Sequence, residues 1–328
     1  MALKDQLNIA VIGGLGLMAS PMAKHWKDSQ AIKVLRVHDR GAVSPRKDMC
    51  RKSWQEADAS LVSTFEELVG QDKLDGIFVC AGKNGDDLEI IAKLANLLAQ
   101  TSPNSFICHL STVSSNFVKA AYEFCANKNI QYINYPLTGG PKGAENGSML
   151  ILAGGDQVIF DKLKPVLSLI GKPKYFGSSI TAGTEVKLIG HLMVFNGLIG
   201  ICSAVAAHTE SFNAGELGGR DQGQFFDFLN EGAGGTKQWD FILSPGIKND
   251  IWNIGFPMYY AVVDAIYAAQ MCIDYRLSWL VIDSIINAAL AFSFIINKVN
   301  PDLATHAIVK EMLSERALGL DQFLMQHS

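Results

Sequence analysis

The sequence predicts an α/β protein: an N-terminal, doubly wound parallel sheet followed by an all-α C-terminal domain, the two joined by one long helix. Three observations carry that prediction. From residue 8 onward, short apolar runs alternate with helical patterns, as consecutive strand–helix units do. Beyond residue 211 the strand signals nearly vanish and only helical periodicity remains. Between these regions lies TAGTEVKLIGHLMVFNGLIGICSAVAAHTES (181–211), almost entirely apolar and free of proline, with Thr181 in position to cap it. Residues 1–179 are therefore expected to form the first domain and 180–328 the second, with 180–211 as the interdomain helix.

Composition narrows the class. A chain of 328 residues can hold two cores, and a formal net charge of −4 favours neither nucleic acid nor an anionic membrane surface as partner. Cys50, Cys80, Cys108, Cys125, Cys202 and Cys272 are scattered, with no CxxC pair or metal-ligand spacing. Reduced thiols, no bound metal and a cytoplasmic location are the expectations. The N-terminus enters a strand pattern directly, without a signal-peptide plan. Residues 188–207 raise the question of a membrane span, but His191 and Asn196 interrupt them and glycine is abundant, so a packed core helix is expected.

The first strand, Asn8 to Ile12, runs straight into Gly13-Gly14-Leu15-Gly16-Leu17-Met18-Ala19, a G-x-G-x-x-A turn. Gly14 permits the tight turn, Gly16 lets backbone approach a pyrophosphate, and Ala19 is small enough for helix to pack on strand. A helical pattern over 17–28 would then point its N-terminal amides at phosphate. The bland alternative is a glycine-rich strand–helix turn with no ligand. Context argues for a ligand, because a second strand over 33–38 ends in Asp39-Arg40, where an acidic residue can bind ribose hydroxyls. This is the pattern of a Rossmann domain, with Gly14, Leu15, Gly16, Leu17, Met18, Asp39 and Arg40 as cofactor-binding candidates. NAD and NADP both remain open: Asp39 favours a free 2′-hydroxyl, whereas Arg40, with Arg46 and Lys47, favours a 2′-phosphate.

Further strands are expected at 76–80, 105–110, 130–135 and 149–153, with helices at 86–99, 115–127 and 158–170. Ala81 and Gly82 follow one strand, and Ser111 and Thr112 follow the next, at the carboxyl edge where such sheets place ligands. Ala81, Gly82 and Thr112 join the cofactor candidates. In the segment PLTGGPKGA (136–144), two glycines after a hydroxyl residue expose amides that can bind a carboxylate. Ordinary turn chemistry would explain either loop equally well. Glycine and proline at 171–173 are expected to break the pattern. In the long helix Lys187 and His191 lie one turn apart on one face, and the helix is expected to hold a catalytic group in the cleft between domains. Helices are expected over 222–230, 258–275, 277–296 and 304–326, and glycine-rich connections at 214–223 and 232–235.

Four ordered stretches together resemble the β-hydroxyacid dehydrogenase family: GLGLMASPMA (14–23), LSTVSS (110–115), PLTGGPKGAENGSMLILAGG (136–155) and GTEVKLIGH (183–191). Trp239 and GFPMYYAVVDAIYAA (255–269) are weaker echoes in the helical domain. The resemblance implies that Lys187 is the catalytic lysine, that Ser111, Thr112, Thr138, Gly139, Gly140 and His191 hold substrate, and that the nicotinamide lies between the sheet's carboxyl edge and the Lys187 helix. It further implies, as substrate, a small 3-hydroxy acid or semialdehyde, while the hydrophobicity of the helical domain leads us to expect a homodimer or homotetramer assembled through it. The chemistry agrees: hydride addition to a carbonyl builds charge on oxygen, which a nearby lysine can stabilise and protonate if desolvation lowers its pKa. A lysine merely snorkelling at a helix start is the alternative.

Several positions depart from the family pattern. His191 stands where asparagine is usual, Val263-Asp264 where Lys-Asp is common, Thr138 for serine and Asn134-Tyr135 for Asp-Ala. All of these lie on the substrate side. An imine reductase or other carbonyl reductase on the same fold is therefore a second reading, and a non-catalytic NADP-binding dimer a third.

Overall fold

The computed structural model describes residues 6–41, 44–81, 86–211, 226–298 and 303–314. By packing the chain divides into two compact units, Met1–Ile189 and Gly190–Ser328, with the boundary inside the long helix.

In the first unit, β1 (Leu7–Ile12), β2 (Ile32–His38), β3 (Ser60–Val62), β4 (Gly76–Val79), β5 (Phe106–His109) and β6 (Gln131–Asn134) form one sheet in the order β3-β2-β1-β4-β5-β6. Every pairing is parallel. The chain winds outward from β1 in both directions, so the carboxyl ends of β1 and β4 flank the switch point where such sheets bind ligands. Helices cover both faces, and this explains why β1 reads as a continuous apolar run rather than an alternating one. Ile9 and Val11 face the cluster containing Trp26, Trp54 and Phe78, while Ala10 and Ile12 face the one containing Ile77, Ile91 and Leu94.

Local signals explain the elements between β2 and β4, a region where only charged residues stand out in the sequence. Ser44 caps the helix Pro45–Glu56 by accepting from the Lys47 amide, with Pro45 at a first-turn position where its missing N–H costs nothing. Thr64 and Glu67 form a reciprocal capping box at Phe65–Val69. The helix after the glycine turn is shorter than its pattern. It is regular only over Met22–Trp26, and residues 17–21 wind into it as turns ahead of Pro21.

A second, three-stranded sheet also departs from expectation. Here β7 (Leu137–Thr138) pairs antiparallel with β8 (Met149–Ala153), which pairs parallel with β9 (Gly171–Tyr175). The glycine and proline of the expected break thus lie in a strand. An edge strand tolerates Pro173 because only one side of it must donate to a neighbour.

The long helix runs unbroken from Ala182 to Ser211. The Thr181 carbonyl accepts its first backbone bond, from Glu185, and the Thr181 hydroxyl pairs with Ser179 at 2.9 Å. By length and composition alone this helix could cross a membrane, with a mean hydropathy of 1.9. The second unit is helical as described, with Met258–Asp274 and Trp279–Lys298 packed on one another. Trp239–Leu243 forms a π-turn leading into Ser244–Lys248. Of the helix expected over 304–326, Thr305–Ala307 is 3₁₀ and Ile308–Ser314 is α-helical; the remainder lies outside the described residues, as does the 214–223 connection.

Candidate functional site

The glycine turn is built so that nothing larger fits. A Cβ on Gly14 would stand 2.3 Å from Cγ1 of Val37 on β2. The Gly14 carbonyl is held by the Trp54 indole N–H at 2.7 Å, and Gly16 N donates to the Gly13 carbonyl at 2.9 Å. Ala19, the third position of the motif, is fully buried, whereas Leu17 is exposed. A tight backbone turn thus sits at the carboxyl end of β1, where a doubly wound sheet receives its ligand. These residues fit the diphosphate of a dinucleotide.

Asp39 follows β2 and folds back onto this turn. Its Oδ2 accepts from the Leu15 amide at 3.2 Å, and its Oδ1 from the Gly41 amide at 2.7 Å and the Lys47 ammonium at 2.6 Å. Burial pushes the Asp39 carboxyl upward, but Lys47 and the two amides outweigh it, leaving its pKa below the ordinary carboxylate value. The stabilisation from this clamp is therefore complete above the unfolded value of about 3.9 and is lost as pH falls through the lower folded value. Asp39→Asn is expected to cost about 1–3 kcal/mol at neutral pH. Thermal melts of variant and wild type should converge in acid, and a gap that persists below the folded value would contradict the clamp.

A chain of polar contacts runs from this turn to the long helix. A Cβ on Gly13 would stand 2.9 Å from Cβ of Ala81, which places the second residue after β4 beside the turn. The Ser111 hydroxyl donates to the Ala81 carbonyl at 3.1 Å. The amide of Asn134, at the end of β6, donates to the carbonyls of Ser111 at 3.0 Å and His109 at 2.9 Å. Its Oδ1 accepts from the Thr184 hydroxyl in the first turn of the long helix. One turn on, Lys187 Nζ donates to the Leu137 carbonyl at 2.9 Å, on the residue preceding Thr138-Gly139-Gly140. The two glycines of that loop have φ of +124° and +64° and are exposed, with open space around Gly140. The helix start can come this close because Gly183 carries no side chain: a Cβ there would lie 2.1 Å from the Leu152 carbonyl of β8.

Ser111, Thr138–Gly140 and Lys187 are thus linked through one set of strand ends. Thr112 is half-buried beside Ser111. Arg40 lies in solvent, paired with Asp86 at 3.0 Å. Gly82 lies outside the described residues. Within the helical unit His191 is buried, its Nδ1 3.6 Å from Asp264 Oδ2 and its ring 4.9 Å from that of Phe195.

Comparison with known proteins bears on what this arrangement serves. Residues 8–187, more than half of the chain, match the NAD binding domain of 6-phosphogluconate dehydrogenase. The chain belongs to the β-hydroxyacid dehydrogenase family. It is 28% identical over 185 residues to 2-(hydroxymethyl)glutarate dehydrogenase of Eubacterium barkeri, covering 55% of this chain and 57% of that enzyme. It is 29% identical over 265 residues to an uncharacterised oxidoreductase of Synechocystis, covering 79% and 84%. The fold matches that of 3-hydroxyisobutyrate dehydrogenase from Salmonella typhimurium with a TM-score of 0.76, at 18% identity over 93% of this chain and all of the other. Membership makes this chain an oxidoreductase acting on CH–OH groups with NAD or NADP, in a family whose substrates are small hydroxy acids.

Seen as a β-hydroxyacid dehydrogenase, the chain carries four residues that its sequence does not single out in these roles. Asn134 and Thr184 join the strand ends to the Lys187 helix, and Lys47 occupies Asp39. Asn134 shows in the sequence as half of the Asn134-Tyr135 pair that departs from the family pattern. Asp264 is the fourth: it reads as half of a departed Lys-Asp pair, and its contact with His191 is purely tertiary.

Proposed function

We propose that this chain transfers hydride between NAD(P) and a small 3-hydroxy acid or its semialdehyde, with Lys187 as the general acid/base. The observation that carries this reading is the Lys187 ammonium on the Leu137 carbonyl, at the entrance to the Thr138-Gly139-Gly140 loop. Bound nicotinamide supplies or takes the hydride at the carboxyl edge of the sheet. The protein contributes the rest. Ser111 and the exposed amides of Gly139 and Gly140 orient a carboxylate. Lys187 faces the developing alkoxide, stabilises its charge and donates a proton; in the oxidative direction the neutral amine accepts that proton. The polar contacts through Asn134 and Thr184 fix the helix turn bearing Lys187, so its ammonium needs little reorganisation during the reaction.

Purified protein given either cofactor and a panel of 3-hydroxy acids, semialdehydes and cyclic imines should change nicotinamide absorbance with the acids and semialdehydes. Turnover of imines alone would overturn the reading. A cytosolic setting fits the six free thiols. Assembly through the helical unit is supported by apolar side chains at its surface: Met193, Trp279, Leu280 and Leu290 are each more than 60% exposed. Light scattering is expected to give the mass of a dimer or tetramer, and Leu280→Glu should shift it toward 35.6 kDa.

A further inference from the structure

We propose that this chain selects NADP over NAD, and that Lys47, with Arg46 and Arg40, makes the selection by holding the 2′-phosphate. The inference rests on the dinucleotide reading of the glycine turn. A carboxylate after the second strand selects NAD by accepting from the ribose hydroxyls, and a two-oxygen grip needs lone pairs free on both of its oxygens. Asp39 does not offer them. Its Oδ1 already accepts two short bonds, from Lys47 and Gly41, and its Oδ2 accepts one from Leu15. A diol could be gripped by both oxygens only after the Lys47 bond is broken.

The same pairing suits a phosphate. Lys47 offsets the charge of Asp39, so a dianion approaching this corner meets no uncompensated carboxylate. An ammonium has three protons to donate, and one serves Asp39. Arg46 donates from Nη2 to the Leu15 carbonyl at 3.0 Å, which fixes a guanidinium beside the same turn with further N–H groups to offer. Among the described residues Arg40 pairs with Asp86, in a solvent-exposed pair of the weak kind that a phosphate can displace. Asp48, the other nearby carboxylate, is taken up by Arg51 at 2.7 Å. Three cations against Asp39 and Asp86 leave the corner with one net positive charge.

The test is direct titration of the full-length protein with NADPH and NADH, read by quenching of tryptophan fluorescence and repeated by calorimetry. Trp54 donates to the Gly14 carbonyl and so reports from the turn itself. Wild type is expected to bind NADPH at least about tenfold more tightly than NADH. Lys47→Ala should weaken NADPH by about tenfold or more, the loss expected for a charge-assisted bond. It should leave NADH unchanged or tighter, because Asp39 is released to the ribose. Arg40→Ala, at an exposed side chain that does not threaten folding, should weaken NADPH alone by about threefold. Equal or tighter binding of NADH by wild type overturns the proposal, as does a parallel loss of both cofactors in either variant. Failure to bind either cofactor overturns the dinucleotide reading and the proposal with it.

Discussion

Lys187→Ala is expected to lower kcat by about 10²–10⁴-fold, the usual contribution of a positioned acid/base. In free energy that is about 3–5 kcal/mol of barrier. The loss should appear in both reaction directions, with cofactor affinity changed far less than kcat, because the bond shown for this ammonium is to the Leu137 carbonyl. Stability cannot account for an effect of that size. Removing the ammonium frees one partner of the Leu137 carbonyl, a change worth about 1 kcal/mol. Lys187→Met, which keeps the aliphatic stem, separates packing from charge and should be as inactive as the alanine variant. Lys187→Arg tests the proton itself. A guanidinium supplies charge but does not deprotonate at working pH, so carbonyl reduction should recover in part while alcohol oxidation stays lost. Turnover within tenfold of wild type in Lys187→Ala would falsify the assignment.

What the sequence makes legible is local. The turn at Gly14 can be read from three small residues because the requirement for them is set by adjacent strand and helix, even though the atom that enforces it, Cγ1 of Val37, is far along the chain. The strand ends at Ser111 and Thr138 can be read for the same reason: they follow short apolar runs at the carboxyl edge of a parallel sheet. Lys187 stands out because a charge early in an apolar helix demands a reason. Contacts between elements do not show in this way. Lys47 reads as one of several cations that could meet a 2′-phosphate, and nothing nearby reveals that it occupies Asp39. The strand β9 is hidden because Gly171 and Pro173 carry breaker signals, which an edge position in a three-stranded sheet overrides. The pairing of His191 with Asp264 joins two helices that are remote in sequence, and no local pattern encodes it.

Asn134 illustrates the same limit and yields the second large effect. It is 1% exposed, and its three hydrogen bonds serve the His109 and Ser111 carbonyls and the Thr184 hydroxyl. Asn134→Leu fills the space but takes a donor from the Ser111 carbonyl and an acceptor from the buried Thr184 hydroxyl, while the His109 carbonyl keeps its bond from the Tyr135 amide. At about 1–3 kcal/mol for each of these two buried groups, a loss of about 2–5 kcal/mol is expected from urea unfolding. Asn134→Asp is the sharper test because it keeps shape while an oxygen replaces the donating NH2 group. A carboxylate has nothing to donate to two carbonyls, so the aspartate must stay protonated to remain in place, and its folded pKa rises above the unfolded value of about 3.9. Between those two values the folded state binds more protons than the unfolded one, so stability falls as pH rises. The variant should be most stable below pH ~4, where its single carboxyl proton serves one of the two carbonyls and leaves it short of wild type, and should lose stability steadily toward neutrality. That slope is opposite to the one expected for Asp39, whose clamp strengthens as pH rises out of acid. A flat profile would mean that the Asn134 amide does not face those carbonyls, and that Thr184 and Lys187 are positioned by something other than β6.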